Sequence, residues 1–446
     1  MHRRNLLLLC LVVPTCLLAW AARDRSEHGR RFAEVIRQIE SRYLEPVGKD
    51  ELFAAALAGI FTTLDDGSRY LDAAAYREVS ATRDPGLAGI GVEIAEAESA
   101  DAIVIVAPVV DGPAWQAGLT AGDQILAIDN APVAGLGLPE VAAKLRGGPG
   151  TSLTLEILPS GNRPDVAGEK PLPATRSLSL TRQLLTLAGI RGDRREADGR
   201  WDWWLEGEPQ IALIRIVQFS DRTADEVGRV IEALAAERPP AGLVLDLRST
   251  AGGPVEAAVA LCDLFLEEGP IVTVGNRRQP DAQQISTAVP GDLLAGAPLV
   301  VLIDDLTAGA AEVVAACLQD RNRATVAGSR SYGEGLLQVV LPLAGEETAI
   351  QLSTAEYRRP NGDPIDRPAT ASSDRPWGVS PDAGFAITLT REQFDRWRRW
   401  RQTRDRPAGL PPADRNADPA ATLPRLADPV LGRGLQAFSV SESAAG

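Results

Sequence analysis

Three short stretches of this chain hold the residue types that carry out acyl-transfer chemistry. The first is Ser249-Thr250-Ala251-Gly252-Gly253, which follows the apolar run Val244-Leu245-Asp246-Leu247. The second runs from Asp304 through Thr307, Ala308, Gly309 and Ala310 to Glu312, and the third from Ser329 through Ser331, Gly333, Glu334 and Gly335 to Gln338. Thr307, Ser249, Ser329 and Ser331 offer hydroxyls, and paired glycines at the end of a strand let backbone N–H groups converge on a developing oxyanion. A hydroxyl also needs a base. The two histidines are His2 and His28, and the three lysines are Lys49, Lys144 and Lys170. A Ser-His-Asp triad, a serine–lysine dyad drawn from the C-terminal half and a His/Cys zinc site therefore all lack a component. No cofactor and no metal are expected. Glu334 is the remaining candidate base, and only if its pKa is raised.

The 446 residues are enough for two or three domains; 45% are apolar and 24% charged, as in an ordinary globular protein. A formal charge of −14 argues against nucleic acid as a partner. The chain begins with His2-Arg3-Arg4, followed by an apolar run from Leu6 to Ala22 broken by Pro14, and ends that run near Ala19-Trp20-Ala21. This reads as a secretory signal over 1–22, the other reading being an uncleaved N-terminal anchor. Export to the periplasm or cell envelope is the expectation. Cys10 and Cys16 lie in that segment; Cys262 and Cys317 sit in apolar helical surroundings, where cysteines are most often small buried hydrophobes, and pairing between them stays open.

The elements around these stretches follow from periodicity. Residues 23–85 read as helical, with Phe32, Val35, Ile36, Ile39 and Tyr43 on one face and Asp50 as the cap of a second helix. Residues 86–94 read as a glycine-rich strand. Residues 159–176 read as a loop or linker, and 403–425 as a flexible Pro/Ala/Asp-rich tail before a short terminal helix at 428–438. Between them strands are expected at 210–217, 243–247, 270–274, 299–303 and 324–326, with helices at 221–238, 255–267 and 310–320. That alternation argues for a mostly parallel sheet covered by helices.

Residues 86–159 resemble a PDZ domain. The match rests on Leu87-Ala88-Gly89-Ile90-Gly91-Val92, on Gly112-Pro113-Ala114 through Gly118-Leu119, and on Gly122-Asp123-Gln124-Ile125-Leu126. The resemblance implies capture of a peptide carboxylate by Leu87, Gly89, Ile90, Gly91 and Val92, with pairing on a strand edge and a groove walled by the 138–145 helix.

The order of helical segment, PDZ domain and α/β core from about 30 to 390 resembles the carboxyl-terminal processing peptidases, or tail-specific proteases. Ser353-Thr354-Ala355-Glu356-Tyr357, Pro360-Asn361-Gly362 and Trp377-Gly378-Val379-Ser380-Pro381-Asp382 add to the match. The resemblance implies an α+β multidomain chain with a ClpP/crotonase-like peptidase core over 160–402. It also implies a serine three residues before Glu312 and a lysine between two glycines, four residues before Gln338. Those positions hold Gly309 and Glu334, 25 residues apart as the resemblance requires. Glycine has no nucleophile, and a carboxylate opposes the charge of an oxyanion. Gly252, Gly253 and Ala310 match the oxyanion donors and Gln338 the orienting partner. The expectation is a non-catalytic, peptide-binding pseudo-peptidase acting as adaptor, scaffold or regulator. The alternative is an active serine-type endopeptidase with rearranged residues. Expected partners are polypeptide C-termini or extended peptides, a second copy through the N-terminal helices, or an active relative.

Overall fold

The computed structural model describes residues 27–65, 67–83, 88–96, 103–109, 112–159, 175–184, 189–196, 198–276, 279–343, 347–368, 375–406 and 428–444. The segment 1–22, Leu87, most of 160–176 and the tail over 407–427 lie outside the described residues. Two units divide the chain: residues 1–76 with 340–352, and residues 77–339 with 353–446.

The first unit holds helices α1 (Glu27–Arg42) and α2 (Lys49–Phe61) and strand β1 (Arg69–Leu71). Gly48, not Asp50, precedes α2; Asp50 lies in its first turn, where a carboxylate suits the helix dipole. Neither helix buries a single residue, and Phe32, Val35, Phe53 and Ile60 are exposed. β1 pairs antiparallel with residues 349–351. Helix α3 (Ala73–Arg83) leads into the second unit.

The second unit opens with the PDZ part. Its elements are β2 (Ala88–Gly89), β3 (Val92–Glu96), β4 (Ile103–Pro108), α4 (Pro113–Gln116), β5 (Gln124–Ile128), β6 (Ala131–Pro132), α5 (Leu138–Leu145), β7 (Ser152–Leu158), β8 (Arg176–Thr181) and β9 (Gln183–Leu184). The expected single strand over 86–94 is two strands, because Gly91 turns the chain at φ 76°. The sheet runs β3-β4-β5-β7-β8, so its last strand lies beyond the expected limit at 159. β7 alternates buried and open positions, the pattern of an antiparallel strand with one wet face. Ile90, Ile105, Ile125, Val141, Leu153, Leu155 and Ile157 fill its core.

Next come β10 (Ile190–Arg191), β11 (Arg194–Arg195), β12 (Trp201–Asp202), β13 (Trp204–Leu205), β14 (Glu208–Ile216), α6 (Thr223–Glu237), β15 (Gly242–Asp246), α7 (Val255–Asp263), β16 (Pro270–Asn276), β17 (Gln279–Thr287), β18 (Leu299–Ile303), α8 (Ala310–Asp320) and β19 (Ala324–Gly328). β14, β15, β18 and β19 pair in parallel, edged by antiparallel β10 and β13. β15 and β18 are buried at every residue, as strands covered on both faces must be. One face packs on α6, α7 and α8, with Cys262 and Cys317 both free and wholly buried in that core. The other packs on α10 (Pro429–Ala444), which follows α9 (Arg391–Arg404). α7 stops four residues earlier than periodicity predicts, because the chain turns at Leu264 and buries Phe265 and Leu266 instead.

An antiparallel layer was not expected. β16 pairs with β17 on one side and with residues 356–358 on the other. Those residues end β21 (Ala349–Arg358), which follows β20 (Leu336–Pro342); the chain passes between the two units within these strands.

Candidate functional site

The loops after β15, β18 and β19 leave the same, carboxyl end of three adjacent parallel strands, the place where open α/β sheets put their sites. The first loop is anchored from beneath. Arg248 is wholly buried and reaches Asp246 at 2.6 Å and Asp428 at 2.9 Å, with its guanidinium 4.4 Å from the Trp397 ring. Burial works to lower its pKa, but the two carboxylates raise it above the ordinary arginine value. Asp428 also accepts from the Trp397 indole at 3.0 Å, so α9 and the start of α10 brace this turn.

The second loop is tied to the first by Asp304. Its carboxylate accepts the Ser249 N–H at 2.8 Å and the Ser249 hydroxyl at 3.0 Å. The Thr307 hydroxyl accepts from Asp304 N–H and donates to the Leu247 carbonyl, both at 2.9 Å. Burial raises the Asp304 pKa, opposed by the hydrogen bonds from Ser249. Ala308 N–H donates to Thr250 O at 2.9 Å, and Gly252 N–H donates to Ala308 O at 3.1 Å. This last bond departs from expectation. Gly252 does not present its N–H to the cleft, because the carbonyl one residue before Gly309 already takes it. Gly253 keeps an N–H with no acceptor among the described residues, and Ala310, first in α8, has no intrahelical acceptor. Gly253 must be glycine: at φ 124° a Cβ there would lie 2.3 Å from Phe219 Cβ.

Gly309 opens α8 at φ 60°, ψ −119°, the sharp strand-to-helix turn on which nucleophiles are displayed. A Cβ at Gly309 would lie 3.0 Å from Gly252 Cα and 3.4 Å from Glu334 Oε2. The two positions singled out in the sequence are therefore neighbours, and a carboxylate faces the place a side chain would occupy.

Glu312 holds this arrangement, a role that spacing alone left unassigned. It is fully buried. Its Oε1 accepts the Ser331 hydroxyl at 2.5 Å and Gly333 N–H at 2.7 Å; its Oε2 accepts Glu334 N–H at 2.7 Å and Gly309 N–H at 3.1 Å. Burial pushes its pKa up to about 7 in spite of these donors. The Ser331 hydroxyl also accepts Val379 N–H at 2.7 Å. Ser331, Ser249 and Thr307 are thus committed to structure, while Ser329 is half-buried with its N–H on Ile303 O. Gln338 lies half-buried on β20.

The cleft is acidic. Burial raises the Glu334 pKa. The Tyr357 phenol, on β21, is pushed up to about 12 by burial and by the carboxylates of Glu256 and Glu334. In the sequence Tyr357 figured only as the end of the Ser353–Tyr357 match and Glu256 not at all, since only the sheet brings β21 and the first turn of α7 toward residue 334.

The PDZ part offers a second concavity. Gly89, Ile90, Gly91, Val92 and Ile94 face Ala142, Leu145 and Arg146 across a groove of about 110 Å³. Among the described residues β3 is the end strand of its sheet, a position that suits pairing with an added strand.

A family model for peptidase family S41 matches residues 210–384, and a PDZ domain model matches residues 104–159. The carboxy-terminal-processing protease of Bartonella bacilliformis is 30% identical over 409 residues, covering 89% of this chain and 84% of that protein. A carboxyl-terminal-processing protease of Synechocystis sp. is 32% identical over 324 residues, covering 72% and 70%. Among solved structures, a photosystem II D1 C-terminal processing protease matches at 26% identity with a TM-score of 0.41, covering 80% of this chain and 92% of that one. With its PDZ part, its S41 core and this similarity along most of both chains, the protein belongs to the carboxyl-terminal-processing protease family of S41 peptidases.

Proposed function

We propose that this chain is an exported, non-catalytic member of its family that holds polypeptides through its PDZ groove and a cleft that has lost its chemistry. The observation that carries this reading is the pair Gly309 and Glu334. They stand where the family resemblance puts a nucleophilic serine and its lysine base, and they lie within 3.4 Å of each other by the measure of an added Cβ. Each loss makes the other irreparable: a hydroxyl without a base is a weak nucleophile, and a base without a hydroxyl has nothing to activate. The occupied Gly252 N–H and the negative charge of Glu334 weaken oxyanion stabilisation further. Two serine–carboxylate pairs remain at the cleft among the described residues: Ser331 with Glu312, buried to 2% and 0% exposure, and Ser249 with Asp304, whose carboxylate is already held by the N–H groups of Ser249 and Leu306 and by the Thr307 hydroxyl.

The apolar PDZ groove suits a peptide with an apolar C-terminal side chain, paired along β3. A second copy, or an active relative, docks on the exposed apolar residues of α1 and α2. Export rests on the basic, then apolar, start of the sequence.

Incubation with unfolded protein substrates tests the central claim. The parent chain is expected to leave them intact, and a Gly309→Ser, Glu334→Lys variant to regain cleavage. Cleavage by the parent that is abolished by Ser329→Ala overturns the reading in favour of a rearranged peptidase.

A further inference from the structure

The turn Gly333-Glu334-Gly335 has two different sides. The Glu334 carboxylate lies toward Gly309. Behind Gly333, a Cβ would meet Arg367 Cβ at 2.7 Å and Trp377 Cε3 at 2.9 Å. The Arg367 guanidinium is 5.1 Å from the centre of the Trp377 ring, and that of Arg330 is 4.8 Å from the same ring. Both arginines are exposed and Trp377 is half-buried. Arg330 Nε donates to Ser380 Oγ at 3.1 Å.

Among the described residues, neither guanidinium meets a carboxylate. Two other rings carry a pair of arginines, and there each arginine meets an acid: Arg195 with Glu93 and Arg215 with Asp405 at Trp201, Arg401 and Arg404 with Asp193 at Trp400. In a chain with fourteen more acidic than basic side chains, Trp377 is, among the described residues, the ring whose two stacked arginines both lack an acid. An indole face orients a stacked guanidinium and leaves its N–H edge free for bidentate donation. Two like charges on one ring repel each other, and an anion beside them relieves that repulsion.

The geometry points to Arg330 and Arg367, stacked on Trp377, as a docking point for the carboxylate side chains of an extended acidic polypeptide segment passing this turn. This assignment rests on the reading of the chain as a peptide-holding protein and names the segment it holds. Tyr332, 55% exposed on the same loop, adds apolar contact. Glu334 disfavours an acidic residue in the cleft itself, so the preference is for acids on the Trp377 side of the turn.

Fluorescence anisotropy with the full chain tests this. One labelled peptide carries an Asp/Glu tract and an amidated C-terminus, a second has Asn/Gln in its place, and a third is neutral with a free apolar C-terminus. The acidic peptide is expected to bind roughly tenfold or more tightly than its amide counterpart, the size expected of charge-assisted bidentate bonds. Arg330→Gln with Arg367→Gln should abolish that preference and leave the third peptide's affinity and the melting temperature unchanged. Arg330→Lys with Arg367→Lys should restore part of it. Equal affinity for acidic and amide peptides overturns the proposal, as does a preference that survives the double Gln variant. A fall in melting temperature with no change in preference also overturns it, making the stack purely structural. Mass spectra of the recovered peptides keep the two readings separable: cleavage overturns the non-catalytic reading while a charge preference still stands.

Discussion

The PDZ groove and the S41 cleft use the same material, glycine-rich turns beside parallel or edge strands, to opposite effect. In the groove, glycines free the backbone: β3 ends its sheet among the described residues and apolar side chains line the floor. In the cleft, glycines close it down. Gly252 gives its N–H to Ala308, Gly309 has no side chain, and Glu334 fills the space with negative charge. A binding site survives on shape and backbone donors alone, whereas catalysis also needs particular side chains in register. Sequence drift therefore removes the second more easily than the first.

The comparison breaks most sharply at Glu312. Glu312→Ala strands four donors in the core and is expected to cost about 3 kcal/mol of stability in denaturant titration, while peptide binding by the folded fraction's PDZ groove persists. Loss of PDZ binding in that fraction would show the two regions to be energetically coupled. Next in size is Ala142→Phe, whose ring fills a groove of about 110 Å³. C-terminal peptides should bind at least about tenfold more weakly, with little change in melting temperature. Gly309→Ser alone puts a Cβ at φ 60° and 3.0 Å from Gly252 Cα, and should lose roughly 1 kcal/mol of stability without gaining cleavage.

The smallest effect is in pH. Glu312 titrates at about 7 in the fold against an ordinary 4.5, so the native state binds the extra proton between these values. Its contribution to stability therefore falls as pH rises through that window. Glu334 has the same sign, because burial also raises it. Glu334→Gln should gain stability at neutral pH, by less than about 1 kcal/mol given its partial exposure, and flatten the slope measured between acid and neutral denaturation midpoints.

Much of this was legible in the residues. The runs that become β18 and α8 fall where periodicity puts them, because buried parallel strands and their covering helix carry continuous apolar patterns. The absent base was equally plain, since a missing histidine or lysine needs no structure to notice. β16 falls where a strand was expected at 270–274, with Ile271 and Val272 buried, but its antiparallel partners were not legible: β17 is polar and largely exposed, as Gln283, Gln284 and Ser286 illustrate, and β21 meets β16 only from far along the chain. Ser331 looked like a spare nucleophile until Glu312 took its hydroxyl.

The sequence by itself determined which residue types stand at the key positions, because composition and register are local facts: Gly309, Glu334 and the lack of lysine or histidine after Lys170. Only the tertiary structure decided what the surviving groups do. Whether Gly252 offers its N–H, whether Ser331 is free, and which arginines lack an acid all depend on contacts between residues far apart in the chain, which no spacing along it encodes.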